Sequence, residues 1–258
     1  MSRQRLGQHF LNNGSILERI ARAACPDREP LVIEIGPGRG ALTERLLERS
    51  ERVIAVEIDS GLVELLREKF RDEPRLTVLN ADALEMDFGQ WGPAVVAGNL
   101  PYYAATPIIE KVLAIGRALR RGVFLLQKEV AARLTAGPGK RDYGYLSIQT
   151  QLFADVETVF DVSPSAFRPP PKVDSTLIRL RPRDRAAELD IRNTAKFLIF
   201  VGLCFRQKRK TLRNNLVSAY RREMLDTWPE AGKRAEQLTL EQIAELYRRV
   251  TMLRSQKP

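Results

Sequence analysis

The sequence predicts an α/β protein: a seven-stranded, mostly parallel sheet with helices on both faces, followed by a small all-helical C-terminal domain. Two observations carry this. Short β-rich runs alternate with segments of helical period from Leu31 onward, the pattern of a parallel sheet covered on both sides. After Arg181-Pro182 the β pattern stops, and only helical periodicity follows. The 258 residues suit a large domain over 1–182 and a smaller one over 183–258, with the polar stretch Arg183-Asp190 as linker.

In chain order the expected strands are Leu31-Ile35, Arg52-Ile58, Leu76-Asn80, Ala94-Gly98 and Gly122-Gln127. Val156-Val162 and Thr176-Leu180, joined by the proline-rich SPSAFRPPPKVDS, read as an antiparallel hairpin that ends the sheet. Ala41-Arg49 places Leu42, Leu46 and Leu47 on one helical face, and Ser60-Phe70 repeats this with Leu62, Leu65, Leu66 and Phe70. Ser60 and Thr106-Pro107 are helix starts, the latter as a cap followed by proline in the first turn. The C-terminal helices are Asn193-Phe205, Arg209-Ser218, Arg221-Thr227 and Thr239-Val250.

Composition removes several function classes. The single histidine, His9, and the distant pair Cys25 and Cys204 leave no His/Cys cluster for a metal site and no Ser-His-Asp arrangement; this count leaves an all-carboxylate magnesium or calcium site open, but no closely spaced acidic ligand loop appears. The basic N-terminus lacks the apolar core of a secretory signal, and no run reaches bilayer length, so the expected location is the cytoplasm. The net charge of +10 is unevenly placed. Residues 183–258 hold 17 Lys+Arg against 9 Asp+Glu, and residues 1–182 hold 25 against 23. Such asymmetry suits a grip on an anionic polymer. Its densest part, Phe205 to Arg213, carries Arg206, Lys208, Arg209, Lys210 and Arg213, read as a helical collar for several RNA phosphates.

Chemistry is expected at the strand ends. Glu34-Ile35-Gly36-Pro37-Gly38-Arg39-Gly40 follows the first strand and opens a helix, so Gly36 and Gly38 allow a tight turn and close approach to a ligand. Glu57 ends the second strand, where a carboxylate can hold the two ribose hydroxyls of an adenosine. Asp82 and Ala83 close the third, where Asp82 can meet the adenine amine. The loop also fits the dinucleotide fingerprint of a nicotinamide enzyme. Pro37, however, removes a backbone N–H that a pyrophosphate needs, and no histidine beyond His9 can serve as acid or base. An adenosine cofactor without phosphate fits better, which points to S-adenosylmethionine.

The fourth strand ends in Asn99-Leu100-Pro101-Tyr102. Asn99 offers a side-chain carbonyl, Leu100 a main-chain carbonyl held by the following proline, and Tyr102 a flat face. Two acceptors on the hydrogens of an exocyclic amine draw its nitrogen toward a pyramidal, nucleophilic shape, while the aromatic stacks the ring.

With these motifs in order, the chain resembles the class I S-adenosylmethionine methyltransferases and, more narrowly, the KsgA family of small-subunit ribosomal RNA adenine dimethyltransferases. The match runs through GQHFL at Gly7-Leu11, EIGPGRGALT at Glu34-Thr43, NLPYY at Asn99-Tyr103, LLQKEVAARLTAGPG at Leu125-Gly139, YGYLS at Tyr143-Ser147 and SAFRPPPKVDS at Ser165-Ser175. The resemblance implies cofactor contacts at His9, Leu11, Gly36, Glu57, Asp82 and Asn99, and stacking aromatics at Tyr102 and Phe167. Family members often have asparagine in place of His9, so a contact there can be main-chain. It also implies the substrate: two adjacent adenosines in the 3′-terminal hairpin loop of 16S rRNA, each methylated twice in an immature small subunit, with a role in ribosome biogenesis. The oligomeric state is left open by the sequence, with a monomer expected. Two other readings stay open. Methyltransferases that modify large-subunit rRNA share the glycine loop and an N-x-P-Y motif, and a non-catalytic assembly factor can be built on the same fold.

Overall fold

The computed structural model describes residues 9–101 and 103–255, the last four without their side chains. It divides into two compact units. One comprises the chain up to Ala131 together with Asp155–Pro182, and the other comprises Ala132–Ala154 and the chain from Arg183 onward. The segment 132–154, which the sequence reading placed with the first domain, therefore packs with the C-terminal helices.

The first unit is built on a sheet of order β4-β3-β2-β5-β6-β9-β7. Its strands are β2 (Val32–Ile35), β3 (Val53–Glu57), β4 (Leu76–Asn80), β5 (Ala94–Asn99), β6 (Leu119–Gln127), β7 (Ala154–Val162) and β9 (Ser175–Pro182). β2 runs parallel to β3 and β5, β3 to β4, and β5 to β6; β9 lies antiparallel to β6. The seven strands and their mostly parallel sense are those the sequence predicts, with bounds that differ by a few residues. Strands β2 and β3 are buried throughout, and β5 up to its last residue, which is why their sequences read as continuous apolar runs rather than as alternation.

From β2 the chain builds the sheet first one way, to β3 and β4, and then the other, to β5 and β6. The strand ends β2 and β5 diverge at this reversal, and a crevice opens there for a ligand. Gly98 lets the two strands come close: a Cβ on it would stand 2.2 Å from the Ile35 carbonyl oxygen, so only glycine fits.

Helices cover the sheet. α1 (Gly14–Ala24) is capped by Asn13, whose side chain accepts from the Ser15 and Ile16 N–H groups, and buries Leu17, Ile20 and Ala21. α2 (Ala41–Leu47) buries Leu42, Leu46 and Leu47 on the predicted face. α3 (Ser60–Lys69) begins at Ser60, as predicted, with Asp59 as the cap. α4 (Ala105–Ala114) begins earlier than predicted, because the Ala104 N–H closes a turn onto the Pro101 carbonyl at 3.0 Å and the chain runs straight into the helix; Thr106 and Pro107 lie inside its first turn. α5 (Lys128–Thr135) follows β6.

A two-stranded sheet pairs β1 (Phe10–Leu11) antiparallel with β8 (Phe167–Arg168), Leu11 opposite Phe167. Nothing in local periodicity announces a strand of two residues. The N-terminal arm is thereby tied to the proline-rich segment far along the chain, with the Asn12 N–H donating to the Ala166 carbonyl at 2.9 Å.

The second unit packs α6 (Tyr145–Phe153), α7 (Arg185–Glu188), α8 (Thr194–Cys204), α9 (Leu212–Leu216), α10 (Arg222–Asp226) and α11 (Leu240–Ser255). Its own core gathers Tyr143, Phe197, Phe200, Leu216, Ile243 and Tyr247. The linker expected over 183–190 contains the short α7. The helix expected from Arg209 starts only at Leu212, capped by Thr211, so residues 206–210 form a loop and not the helical collar inferred from sequence. Cys25 and Cys204 are free and buried, and burial pushes both thiols up, Cys25 to about 12, so neither is a nucleophile near neutral pH. No helix of the described residues is long and apolar enough to cross a membrane.

Candidate active site

An open pocket lies at the carboxyl ends of β2, β3, β4 and β5. His9, Leu11, Gly36, Gly38, Glu57, Asp82, Ala83, Asn99, Leu100 and Pro101 all line it. Residues far apart in sequence meet here because those from Gly36 onward follow or end strands of the same sheet, while His9 and Leu11 reach it on the N-terminal arm.

Glu57, at the end of β3, is buried, and both its carboxylate oxygens are held: Oε2 accepts from the Gly38 N–H at 3.1 Å and Oε1 from the Asp59 N–H at 3.1 Å. Burial raises its pKa, and these backbone donors oppose the rise. Each oxygen keeps a further lone pair, so the fixed carboxylate can accept from two vicinal hydroxyls. Asp82 spends Oδ1 on the Leu84 N–H at 2.8 Å, and its second oxygen has no partner among the described residues. Ala83 is buried beside it, and the half-exposed Ile58 and Leu84 supply apolar surface for a flat ring.

The glycine loop bears on which kind of adenosine ligand fits. The Gly36 N–H donates to Val56 O at 3.0 Å, the Gly38 N–H to Glu57, and the Gly40 N–H to Pro37 O at 2.9 Å, while Pro37 has none to give. With these donors satisfied internally, the three glycine N–H groups of the turn are already committed and are not offered to a pyrophosphate. The residues fit an adenosine without phosphate and oppose the dinucleotide reading.

Over this loop lies the N-terminal arm. A Cβ on Gly38, whose φ is +58°, would stand 3.0 Å from the Phe10 ring, and the Arg39 guanidinium sits 5.0 Å from that ring's centre. His9 engages through both chain and ring: its carbonyl accepts from Asn99 Nδ2 at 3.0 Å, and its Nδ1 lies 2.8 Å from the Pro169 carbonyl. The His9 main chain is thereby held against the end of β5.

Asn99 is the last residue of β5, opposite Leu125 of β6. With Nδ2 committed to the His9 carbonyl, the amide orientation is set and Oδ1 is left as an acceptor. Leu100 is anchored by a buried side chain and by its N–H, which donates to Leu125 O at 3.2 Å; its carbonyl accepts no hydrogen bond from the described residues. Two fixed acceptors therefore stand together at the pocket. Tyr102 lies outside the described residues.

Phe167 is not brought to the pocket. It is 1% exposed, paired with Leu11, and packed in the core among Leu17, Ile20 and Leu177. Pairing of β8 with the N-terminal arm turns the ring inward, so the expected stacking role gives way to core packing. Glu34 was passed over as a site residue. It lines the pocket from within β2, almost fully buried, with Oε2 accepting from the Thr43 hydroxyl at 2.6 Å. Burial and the charge of Glu57 push its pKa up to about 7, against the opposing Thr43 bond. A charged residue inside an apolar run, Val32-Ile33-Glu34-Ile35, was the available signal.

In the second unit the basic loop is part of a larger cluster. The Gly139 N–H donates to Glu236 O at 2.7 Å, the Leu212 N–H donates to Lys233 O at 2.8 Å, and Lys208 Nζ donates to the Arg141 carbonyl. These bonds draw exposed Lys140, Arg141, Lys233 and Arg234 toward exposed Arg206, Arg209 and Lys210. The Lys140-Arg141 doublet and Lys233-Arg234 were missed because each is short and distant in sequence. Lys208 also lies 3.9 Å from Glu236, and Arg213 of α9 pairs with Asp226 of α10 at 3.0 Å, so both of these predicted RNA-binding residues also make contacts within the unit.

The family model for ribosomal RNA adenine dimethylase matches residues 1–253. Proteins called ribosomal RNA small subunit methyltransferase A are similar to this chain: that of Acidobacterium capsulatum is 42% identical over 254 residues, covering 95% of this chain and 89% of the relative. That of Bordetella pertussis is 42% identical over 250 residues, covering 95% and 92%. Among solved structures, a dimethyladenosine transferase from Plasmodium falciparum superposes with a TM-score of 0.82 at 28% identity, covering 95% of this chain and 98% of that one. The 23S rRNA methyltransferase ErmE gives 0.73 at 29%, covering 94% and 99%. A match along nearly the whole length shows that the chain belongs to the ribosomal RNA adenine dimethylase family.

Proposed function

We infer that this protein methylates the exocyclic amine of two adjacent adenosines, each twice, in the 3′-terminal hairpin loop of 16S rRNA within a small ribosomal subunit in the cytoplasm. One observation carries the chemistry: Asn99 Nδ2 donates to the His9 carbonyl, so Oδ1 and the Leu100 carbonyl are the acceptors that face an incoming amine. The names borne by the curated relatives support the small subunit over the large one.

S-adenosylmethionine, when bound, supplies an electrophilic methyl group on a sulfonium. Glu57 would hold its ribose, Asp82 its adenine amine, and the covering arm His9 to Leu11 would close over it. Asn99 and Leu100 hold the two hydrogens of the target amine and so localise its lone pair. No strong base is needed, because the amine attacks as a neutral group and the product nitrogen sheds its proton to water. Positioning and fixed dipoles supply the acceleration. In the second round one hydrogen remains, and one of the two acceptors then suffices.

Calorimetry and methyl mapping test this together. The protein should bind S-adenosylmethionine, and Glu57→Ala should weaken that binding by about 10-fold or more, as expected when a charged hydrogen-bonding partner is lost. Methyl groups should map to adjacent adenosines of unmodified small-subunit particles. Transfer to large-subunit RNA instead would overturn the substrate, and absence of cofactor binding would leave the assembly-factor reading standing.

The RNA grip is proposed to lie on the three-loop cluster. Arg206, Arg209 and Lys210 have no charged partner among the described residues. Replacing all three with alanine should weaken binding to particles and reduce the slope of log K against log salt by up to about 2–3, close to one unit per phosphate contact. An unaltered slope would show that these charges are only solvated.

A further inference from the structure

The pocket has an aromatic at its mouth that no assigned role uses. Tyr103 lines the pocket and is 64% exposed, against 1% for Leu100 and 5% for Ala104 on either side. Those buried neighbours, and the Ala104 N–H donating to Pro101 O, fix the turn that presents the ring. It makes no ring contact and no hydrogen bond among the described residues. An aromatic left so open at the rim of a ligand pocket is surface waiting for a flat partner.

The cofactor's adenine is not that partner. Its expected seat, between Glu57, Asp82, Ile58 and Leu84, lies at the ends of β3 and β4, whereas Tyr103 follows β5. In the order β4-β3-β2-β5 that is up to three strand spacings away, roughly 14 Å. Nor is the base under attack the natural partner. The resemblance gives that base to Tyr102, which leaves Tyr103 for another ring. Phe167, the other aromatic expected there, is buried elsewhere.

We propose that Tyr103 is a stacking platform for a second nucleobase, the neighbour of the adenine whose amine is being methylated. This rests on the proposed substrate, in which the two target bases are adjacent. With one adenine turned into the pocket, the next is left unstacked at the rim. Tyr103 covers its face and holds the strand in register while the first reacts; when the bases exchange places, the platform receives the other.

The test is steady-state kinetics of full-length Y103A, Y103F and Y103W on unmethylated small-subunit particles, with cofactor affinity measured alongside. Y103A should raise KM for particles about 10-fold, with a smaller change in kcat and no change in Kd for S-adenosylmethionine, while Y103F and Y103W stay near wild type. In particles reconstituted with uridine in place of the second adenosine, the gap between wild type and Y103A should narrow, since a pyrimidine stacks less. Equal KM for Y103A and wild type on normal particles, or Y103F as defective as Y103A, would overturn the platform. A gap that persists with uridine would overturn its assignment to the neighbouring base. Failure of the wild-type protein to methylate these particles would instead overturn the substrate on which the assignment rests.

Discussion

Asn99→Ala lowers methyl transfer by about 10²–10³-fold, the loss typical when one preorganised polar group is removed from a reacting centre. Two effects combine. The amine loses the acceptor that localises its lone pair, and the His9 carbonyl loses the Nδ2 donor at 3.0 Å that ties the N-terminal arm to β5. The second effect weakens cofactor binding, so the measurement that separates them is a single-turnover rate on small-subunit particles at saturating S-adenosylmethionine. The chemical defect persists there and the binding defect does not. Asn99→Asp discriminates further. It restores an acceptor but replaces the N–H with an oxygen facing the His9 carbonyl, so the arm is repelled and the rate recovers only in part. Turnover near wild type in Asn99→Ala at saturating cofactor would falsify the role of Asn99.

The features that proved legible in the sequence share a physical basis. A buried parallel strand must be a short apolar run, and a ligand-binding residue at its carboxyl end must follow that run at once. Glu57, Asp82 and Asn99 could therefore be found by reading the residue where each run stops, and all three line one pocket. Where an arrangement depends on contacts between distant segments, local pattern is silent. The pairing of Leu11 with Phe167 joins residues far apart in the chain through two strands of two residues each, too short to carry a period. That pairing decides whether Phe167 faces a ligand or the core. The basic run from Arg206 to Arg213 misled in the opposite way. Its residues are good helix formers, but Thr211 caps a helix that begins only at Leu212, so all of these charges except Arg213 sit in a loop bonded to residues near 140 and 235.

Glu34→Gln makes the protein more stable above neutral pH, and the gain depends on pH in a direction fixed by the buried site. The folded-state pKa of Glu34, about 7, lies above the ordinary value of 4.5 because burial, and then the charge of Glu57, outweigh the Thr43 hydrogen bond. Between those two pH values the folded protein holds a proton that the unfolded chain has released. The contribution of this group is therefore fully present below about pH 4.5 and is lost as pH rises toward 7, with a difference of about 3 kcal/mol between the two ends. Glutamine keeps an oxygen for the Thr43 hydroxyl and carries no charge to bury. Denaturation midpoints of the two proteins should coincide near pH 4.5 and diverge by pH 8, the variant being the more stable. A constant gap across that range would mean that Glu34 does not change its protonation on folding. The native glutamate is thus a stability cost confined to the wall of the cofactor pocket, beside Thr43 and Glu57, in a strand whose other residues are apolar. A core strand selected for stability alone would carry a neutral side chain there, and a cost retained at that point is what a ligand site imposes on the fold around it.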